Sequence, residues 1–245
     1  MSLLLLVLAG VWAGAQNALA GGGSFVTLPA LILAGLDPRA ANITSTVALF
    51  PGQVTTGLAG RTLVSGAQRL SFKALFMISL AGGALGALLL LATPAAAFAR
   101  MVPWLVLFAT AMFAWGSFAR RPSSTVPLGP IPAGVIQFLI AIYGGYFGGG
   151  IGFLMLSALT IAGLPVRSAG ATKNVLAAVM NASAVAIFVF SPEVHWRNAL
   201  FLGAGAILGG LGGAWMLKRV PELPLKLVVV AIGVALTIAL FLRPV

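Results

Sequence analysis

Long apolar runs, separated by short polar and glycine-containing stretches, follow one another along the whole chain. Several of these runs approach the roughly 20 residues that an α-helix needs to cross about 30 Å of hydrocarbon. The pattern therefore predicts a membrane protein whose first half contains a broken helical hairpin followed by three transmembrane helices. The predicted ranges are 3–35 for the hairpin (helices 3–19 and 24–35), and 42–60, 72–92 and 101–118 for the helices that follow.

The second half of the chain repeats this order of elements. A proline- and serine-containing stretch, which cannot continue a helix, joins the two halves. The sequence thus predicts a first repeat (1–119), a linker (120–130) and a second repeat (131–245). The predicted elements of the second repeat are a hairpin at 131–163 and helices at 169–190, 197–216 and 224–242.

The two halves also share residues position by position. Residues 21–47 align without a gap to residues 149–175 at a constant shift of 128, and thirteen of the 27 positions are identical. Matches of alanine, leucine and glycine arise by chance in apolar sequence, but Phe25, Arg39 and Thr44 also match. We therefore infer an internal duplication, and we call residues 128 positions apart counterparts.

A glycine run interrupts the hairpin of each repeat. Glycine costs about 1 kcal/mol per residue in a helix relative to alanine, so such a run predicts a break. Within a bilayer a break is tolerated only where protein or a watery cavity satisfies the freed backbone groups, and the helix that follows presents N–H groups that attract anions. The breaks therefore predict an anion site, although close helix packing through small residues is the alternative. The residues concerned are Gly21, Gly22, Gly23, Ser24, Gly148, Gly149, Gly150 and Gly152.

Polar residues on the helix after each hairpin extend this candidate site. Neutral amides and hydroxyl groups can replace the hydration shell of an oxyanion, and an ionisable residue in a membrane helix is a functional candidate. For Lys173 the alternative is a lysine that reaches to the membrane surface. Asn17, Tyr143 and Tyr146 flank the breaks and either line a pocket or pack ordinarily. The predicted binding residues on these helices are Asn42, Thr44, Ser45, Thr46, Gln53, Thr172, Lys173, Asn174 and Asn181.

The composition supports the membrane assignment and restricts the chemistry. Hydrophobic residues make up 60% of the chain and charged residues 7%, with a mean hydropathy of +1.11. A soluble protein has about a quarter charged residues. The chain has no cysteine, one histidine and three carboxylates, which leaves little for a metal site or for acid–base catalysis. We expect no cofactor and no bound metal, and we consider an enzyme or a scaffold subunit less well supported than a transporter.

The distribution of the positive charge predicts the topology. The formal net charge is +11, but lysine and arginine fall mostly in short loops, so nucleic acid is not an expected partner. If each broken segment is a hairpin, ten basic residues lie on one side of the membrane and four on the other; single crossings would give seven and seven. The hairpin arrangement therefore places both termini outside and the two repeats in opposite orientations. Inverted repeats with interrupted helices are typical of secondary transporters.

At this point the sequence resembles the TauE/SafE family of sulfite and sulfonate exporters of bacterial membranes. The resemblance covers nearly the whole chain and rests on the duplicated glycine run followed by an apolar helix that ends in Ala-Gly-Leu, at 34–36 and 162–164. It also rests on the stretch 170–174 in the second repeat. The first copy departs from the family by carrying Ser24 where a longer glycine run is common.

The resemblance implies a secondary transporter that exports small organosulfur or sulfur oxyanions by alternating access. The alternative is a permease for another small anion, or for a cation or metal ion. The expected partners are a small anionic substrate and the lipid bilayer of the bacterial inner membrane, which the chain crosses several times. The oligomeric state stays open between a monomer and a homodimer.

Overall fold

A computed structural model describes residues 2–19, 22–59, 61–67, 70–118, 129–216 and 222–242. Within these ranges the chain forms ten α-helices and one short 3-10 helix, Arg61–Leu63. Three of the helices, α4, α5 and α8, are long and apolar enough to cross a bilayer. The α-helices are α1 (Leu3–Leu19), α2 (Ser24–Leu33), α3 (Pro38–Ala59), α4 (Phe72–Ala92), α5 (Ala95–Phe118), α6 (Pro130–Tyr146), α7 (Ile151–Ile161), α8 (Val166–Phe188), α9 (Trp196–Met216) and α10 (Glu222–Leu242).

Large apolar side chains cover the outside of these helices, whereas many polar side chains are buried between them. Leu33 is 75% exposed and Phe190 is 86% exposed. Such a surface is unfavourable in water but is solvated by lipid, and buried polar groups then find partners inside the protein. The all-helical chain is therefore built as a membrane protein. The buried polar residues include Gln16, Thr27, Asn42, Thr44, Ser45, Ser79, Gln137, Thr172 and Asn181.

Most helix bounds lie within three residues of the predicted ranges, but two helices begin earlier. Helix α3 begins at Pro38 rather than at 42, because proline fits the first helical turn and the Asp37 carboxylate accepts the N–H of Arg39. Helix α5 begins at Ala95 rather than at 101, and it accommodates Pro103. Residues 119–128, most of the predicted linker, lie outside the described ranges, and the division into two repeats stays a prediction.

The first glycine break separates α1 from α2. Gly22 has a φ of 83°, a left-handed conformation that favours glycine. The side chain of Gln16 donates from Nε2 to the carbonyl oxygen of Gly22 (2.9 Å), and Oδ1 of Asn17 accepts the N–H of Gly23 (2.7 Å). The last turn of α1 thus supplies partners for backbone groups that the break frees. Gly21 lies outside the described residues.

The second glycine break separates α6 from α7 and also relies on left-handed glycines. Gly148 has a φ of 78° and Gly150, which precedes α7, has a φ of 74°. The helices after the breaks have 10 residues (α2) and 11 residues (α7). At 1.5 Å per residue each is roughly 15 Å long, about half of the hydrocarbon thickness. The helix that follows each break is therefore too short to cross the bilayer.

Glycines bring two pairs of helices into close contact across the halves of the chain. Helix α1 packs on α9, and α6 packs on α4. Contacts advance in the same direction along both helices of each pair, so both pairs are parallel. The contacts in order are Gly10 with Ala206, Gly14 with Gly210, Gly82 with Phe138, and Gly86 with Ile142.

The central helices α3 and α8 run antiparallel. Nδ2 of Asn181 donates to Oε1 of Gln53, and one turn further along α3 Gly57 lies against Asn174, earlier on α8. Helix α9 runs parallel to α3, as its contacts with α3 advance together. Helices α5 and α10 are antiparallel, since Trp104 stacks on Phe241 near opposite helix ends.

Two ends of the helix bundle are built alike around a threonine. At the Glu193 end, which holds the start of α3, the end of α4 and residues 189–195, Thr44 Oγ1 donates to the Glu193 carbonyl (3.3 Å) and accepts the N–H of His195 (3.1 Å). At the Ser65 end, which holds residues 61–67 and the start of α8, Thr172 Oγ1 donates to the Ser65 carbonyl (3.1 Å) and accepts its N–H (3.1 Å). Thr44 and Thr172 are counterparts.

An ion pair distinguishes the Glu193 end from the Ser65 end. The guanidinium of Arg39 pairs with the Glu193 carboxylate and also donates to the carbonyl of Thr93 (2.5 Å), which follows α4. Helices α3 and α4 are therefore antiparallel. Arg167, the counterpart of Arg39, is exposed, and the counterpart of Glu193 is Ser65, which has no carboxylate.

We expect Gly209→Ala to destabilise the protein by roughly 1–3 kcal/mol, because a Cβ at this position would overlap the backbone of Val11 on α1. Gly212→Ala on the same helix is the matched control, since no atom lies within 4 Å of a Cβ there. Thermal unfolding in detergent, followed by tryptophan fluorescence, measures both variants. Equal melting temperatures for the two variants would show that the α1–α9 contact does not require glycine.

Candidate functional site

The two glycine breaks meet at one small cavity between α3 and α8. Its volume is about 50 Å³. A single water needs about 10–15 Å³ of such volume, so the cavity has room for a small polar guest. Its lining residues come from the end of α1, both breaks and the two central helices. They are Asn17, Gly22, Ser24, Gln53, Thr56, Gly148, Ile151, Gly152, Lys173, Asn174 and Ala177.

The starts of α2 and α7 both face this cavity. Ser24 is the first residue of α2 and Gly152 is the second residue of α7. The N–H groups of Phe25 and Phe153 donate to the carbonyls of Gly22 and Gly150, but those of Ser24 and Gly152 have no acceptor among the described residues. The helix dipole adds a partial positive charge at both starts. The cavity therefore lies between two positive helix ends. A glycine at position 152 also lets the backbone approach a guest closely.

Helix α8 adds a positive charge to the cavity. Lys173 and Asn174 lie on its wall together with Ala177, one turn later on the same face. Within the described part of the chain no carboxylate forms a salt bridge with Lys173, and none lines the cavity. The sequence predicted Lys173 as a binding residue, with a lysine that reaches to the membrane surface as the alternative, and in the structure it lies in the cavity wall. The electrostatic environment thus favours a negatively charged guest.

Two of the three amide side chains that line the cavity, those of Asn17 and Gln53, have oxygen atoms that accept hydrogen bonds from the protein. Oδ1 of Asn17 accepts the N–H of Gly23, and Oε1 of Gln53 accepts from Nδ2 of Asn181. Their NH₂ groups have no acceptor among the described residues. The hydroxyl of Thr56, one turn from Gln53 on α3, donates to the carbonyl of Gly52 (2.8 Å).

Seven of the predicted binding residues line the cavity, and others have partners elsewhere. On α3, Ser45 is buried and shares a hydrogen bond of 2.5 Å with Thr27, whereas Thr46 donates to the carbonyl of Asn42 (3.0 Å). Asn42 itself donates to the carbonyl of Tyr146 (3.1 Å). The seven lining residues are Gly22, Ser24, Gln53, Gly148, Gly152, Lys173 and Asn174.

The remaining predicted residues form hydrogen bonds between the elements around the cavity or lie buried within the breaks. Thr44 and Thr172 bind the two ends of the bundle, as described above, and Asn181 holds Gln53. The predicted glycines that do not line the cavity, Gly23, Gly149 and Gly150, are buried within the breaks. Of the flanking residues, Asn17 lines the cavity.

The sequence reasoning missed three lining residues. Thr56 lies three positions after Gln53 on α3, so helical spacing places both on one face, and this signal was available. Ile151 and Ala177 are apolar and carry no chemical signal that separates them from packing residues. The tyrosines that flank the second break do not line the cavity: Tyr143 donates to the carbonyl of Leu105 (3.5 Å) and Tyr146 contacts Thr93.

Comparisons with known proteins agree with a transport site. The family model described as "Sulfite exporter TauE/SafE" matches residues 6–240. A "Probable membrane transporter protein ORF9" of Sinorhizobium is 31% identical, over 99% of this chain and 93% of its own. A "Probable membrane transporter protein" of Haemophilus influenzae is 27% identical, over 96% of this chain and 92% of its own.

A "Probable membrane transporter protein YfcA" of Escherichia coli is 28% identical, over 91% of this chain and 83% of its own. No solved structure matches the chain. The names of these relatives describe transporters rather than enzymes. Since the family model covers nearly all of the sequence, the chain belongs to the TauE/SafE family of membrane transporters.

Proposed function

We propose that this protein is a secondary transporter that exports small sulfur oxyanions, such as sulfite and sulfonates, by alternating access. The observation that carries the proposal is the single cavity where two helix starts and Lys173 meet without a carboxylate. The family to which the chain belongs supports the substrate class. A cavity of about 50 Å³ favours a small guest over a large organic anion.

The lining residues suit an oxyanion chemically. Backbone N–H groups at the starts of α2 and α7 donate to its oxygens, as helix N-termini do for phosphate and sulfate. Lys173 adds a charge-assisted hydrogen bond, and the NH₂ groups of Asn17 and Gln53 replace part of the hydration shell. Ile151 and Ala177 leave room beside these donors for the methylene group of a short sulfonate.

The membrane potential supports export. An anion that leaves a cell with a negative interior gains about 2.3 kcal/mol per charge per 100 mV. The described residues of the cavity offer no carboxylate that would carry a coupled proton. Efflux through this site therefore needs no coupling ion.

Two inverted repeats, 1–119 and 131–245, account for the helix directions. Two corresponding pairs of helices run in opposite directions: α3 is antiparallel to α8, and α5 is antiparallel to α10. Helices α1 and α9 run parallel to α3. Helix α6 runs parallel to α4, and α4 is antiparallel to α3. An approximate two-fold axis in the membrane plane relates the halves. It passes between Gln53 and Asn181, which are counterparts and bind each other.

Along α3 and α8 the lining of the cavity is unsymmetrical, as alternating access requires of a single state. Lys173 and Asn174 line the cavity, while their counterparts Ser45 and Thr46 belong to the side toward the Glu193 end. There, Ser45 is buried against Thr27, and Leu49 is 2% exposed. The accessible part of the site thus lies toward the Ser65 end, and packed side chains fill the equivalent part toward the Glu193 end. Rocking of the repeats would exchange the two arrangements.

The charge distribution orients the protein in the bacterial inner membrane. Lysine and arginine concentrate in cytoplasmic loops. The Ser65 end carries Arg61, Lys73, Arg167 and Lys226, and the Glu193 end carries Arg39, Arg100 and Arg197 together with two carboxylates. The Ser65 end is therefore cytoplasmic, and α1 begins and α10 ends on the outer side.

The ion pair at the Glu193 end closes the outer side in this state. Arg39 joins the start of α3 to Glu193 and to the end of α4, so it links elements of both repeats. Its counterpart Arg167 has no carboxylate at the equivalent place, where Ser65 stands. The outer side is thus held by an ion pair that the cytoplasmic side lacks, and this difference favours a cytoplasm-facing state.

We expect Lys173→Gln to raise KM for sulfite by roughly 10- to 100-fold, because a hydrogen bond to a charged group contributes about 1.5–3 kcal/mol. Flux of radiolabelled sulfite in proteoliposomes measures this effect. Lys73→Gln is the matched control, since Lys73 is exposed in the first turn of α4, away from the cavity. Sulfite flux that is unaffected by Lys173→Gln, or flux of a cation in its place, would contradict the proposed anion site.

We expect Glu193→Gln to increase access to the outer half of the site. The chain has no cysteine, so Thr46→Cys introduces a unique label there. An impermeant thiol reagent added from outside should label Thr46→Cys up to about fivefold faster when Glu193→Gln is present, since a partly exposed ion pair contributes roughly 0.2–1 kcal/mol.

The reverse change tests the same idea at the other end. Ser65→Glu should create an ion pair with Arg167 and slow labelling of Asn174→Cys from the cytoplasmic side. Arg197→Gln is the control at the Glu193 end, because Arg197 is exposed there. Labelling rates that do not respond to Glu193→Gln or Ser65→Glu would rule out the ion pair as the difference between the two ends.

A further inference from the structure

The hydrogen bond between Asn181 and Gln53 reaches the cavity through only one of its partners. Gln53 lines the cavity, whereas Asn181 is 4% exposed and does not. Nδ2 of Asn181 donates to Oε1 of Gln53. The sequence placed both residues among those that bind substrate, but the geometry separates their roles.

We infer that Asn181 is a positioning residue that makes the site selective for anions, an inference that rests on the proposed function. A glutamine amide offers either an oxygen acceptor or an NH₂ donor to a guest. Because Asn181 occupies Oε1 of Gln53, the NH₂ group of Gln53 is the part left for the cavity. Asn181 therefore determines the chemistry that Gln53 presents, without touching the guest.

The unused oxygen of Asn181 supports this role. Its Oδ1 is buried and has no hydrogen-bond partner among the described residues. A buried polar atom without a partner destabilises the folded state. The unpaired Oδ1 of Asn181 therefore lowers the stability of the fold, whereas its Nδ2 donates the hydrogen bond that holds Gln53.

The same arrangement occurs independently at the first glycine break. There, the N–H of Gly23 occupies Oδ1 of Asn17, and Asn17 also lines the cavity. Two of the three amides that line the cavity therefore have an oxygen that already accepts from a protein donor. A cation needs oxygen ligands, and each of these oxygens has one lone pair fewer to offer. An anion finds two NH₂ groups without an acceptor among the described residues, on side chains that the protein already holds, so less ordering entropy is lost on binding.

Kinetics of sulfite flux in proteoliposomes test this role. Asn181→Leu removes the donor at similar size and should raise KM for sulfite roughly tenfold, with kcat within about twofold of the wild type. Gln53→Met should raise KM similarly. Combining the two should add nothing to the effect of Gln53→Met alone, because Asn181 acts only through Gln53.

Gln137→Leu is the matched control. Gln137 is a buried amide that donates to Ser79 (2.8 Å), and its Oε1 also lacks a partner, but it lies outside the cavity lining. It should lose a comparable hydrogen bond and leave KM unchanged. Melting temperatures of all variants separate a loss of stability from a change in affinity, and Gln53→Met tests the donor even if Asn181→Leu does not fold.

The outcomes separate the two levels of the proposal. Absence of wild-type sulfite flux would overturn the proposed function and this inference together. Wild-type flux that is sensitive to Lys173→Gln, combined with an unchanged KM in Asn181→Leu, would overturn the positioning role alone. Additive effects of Asn181→Leu and Gln53→Met would also overturn it, because they would show that Asn181 acts on the anion by a separate route.

Discussion

A helix that breaks inside a lipid bilayer must find new partners for the backbone groups that the break frees, and much of this structure answers that requirement. At the first break the side chains of Gln16 and Asn17 supply partners. At the second, the N–H of Gly148 turns back to the carbonyl of Tyr143 (3.3 Å). The N–H groups that remain at the starts of α2 and α7 face a shared cavity. The need to satisfy the backbone and the capacity to hold an anion thus arise from the same break.

The sequence predicted the helices more completely than the cavity. Apolar runs and glycine breaks have local causes, so α1 and α4 have the predicted bounds. The cavity depends on which face of each helix turns inward and on how the helices pack against one another. Duplication makes Ser45 and Lys173 equivalent in sequence, yet one is buried against Thr27 and the other lines the cavity. No local pattern distinguishes two such positions, because the difference lies in how the halves pack.

The two ends of the helix bundle share one arrangement of hydrogen bonds but differ in their ion pairing. The two threonines, Thr44 and Thr172, make the same pair of contacts at opposite ends of the bundle. Against this common frame, the ion pair of Arg39 with Glu193 exists at one end alone, as Arg167 meets no carboxylate at the other. In the proposed transport cycle, such unmatched side chains set which of two similar conformations is favoured.

The pairing of α1 with α9 also has a consequence for how the chain is made. Helix α1 has its glycine contacts on α9, which begins at Trp196 and is therefore synthesised later. Until that segment enters the bilayer, Gly10 and Gly14 face lipid or a temporary neighbour. The packing of α1 is completed only after α9 has been synthesised.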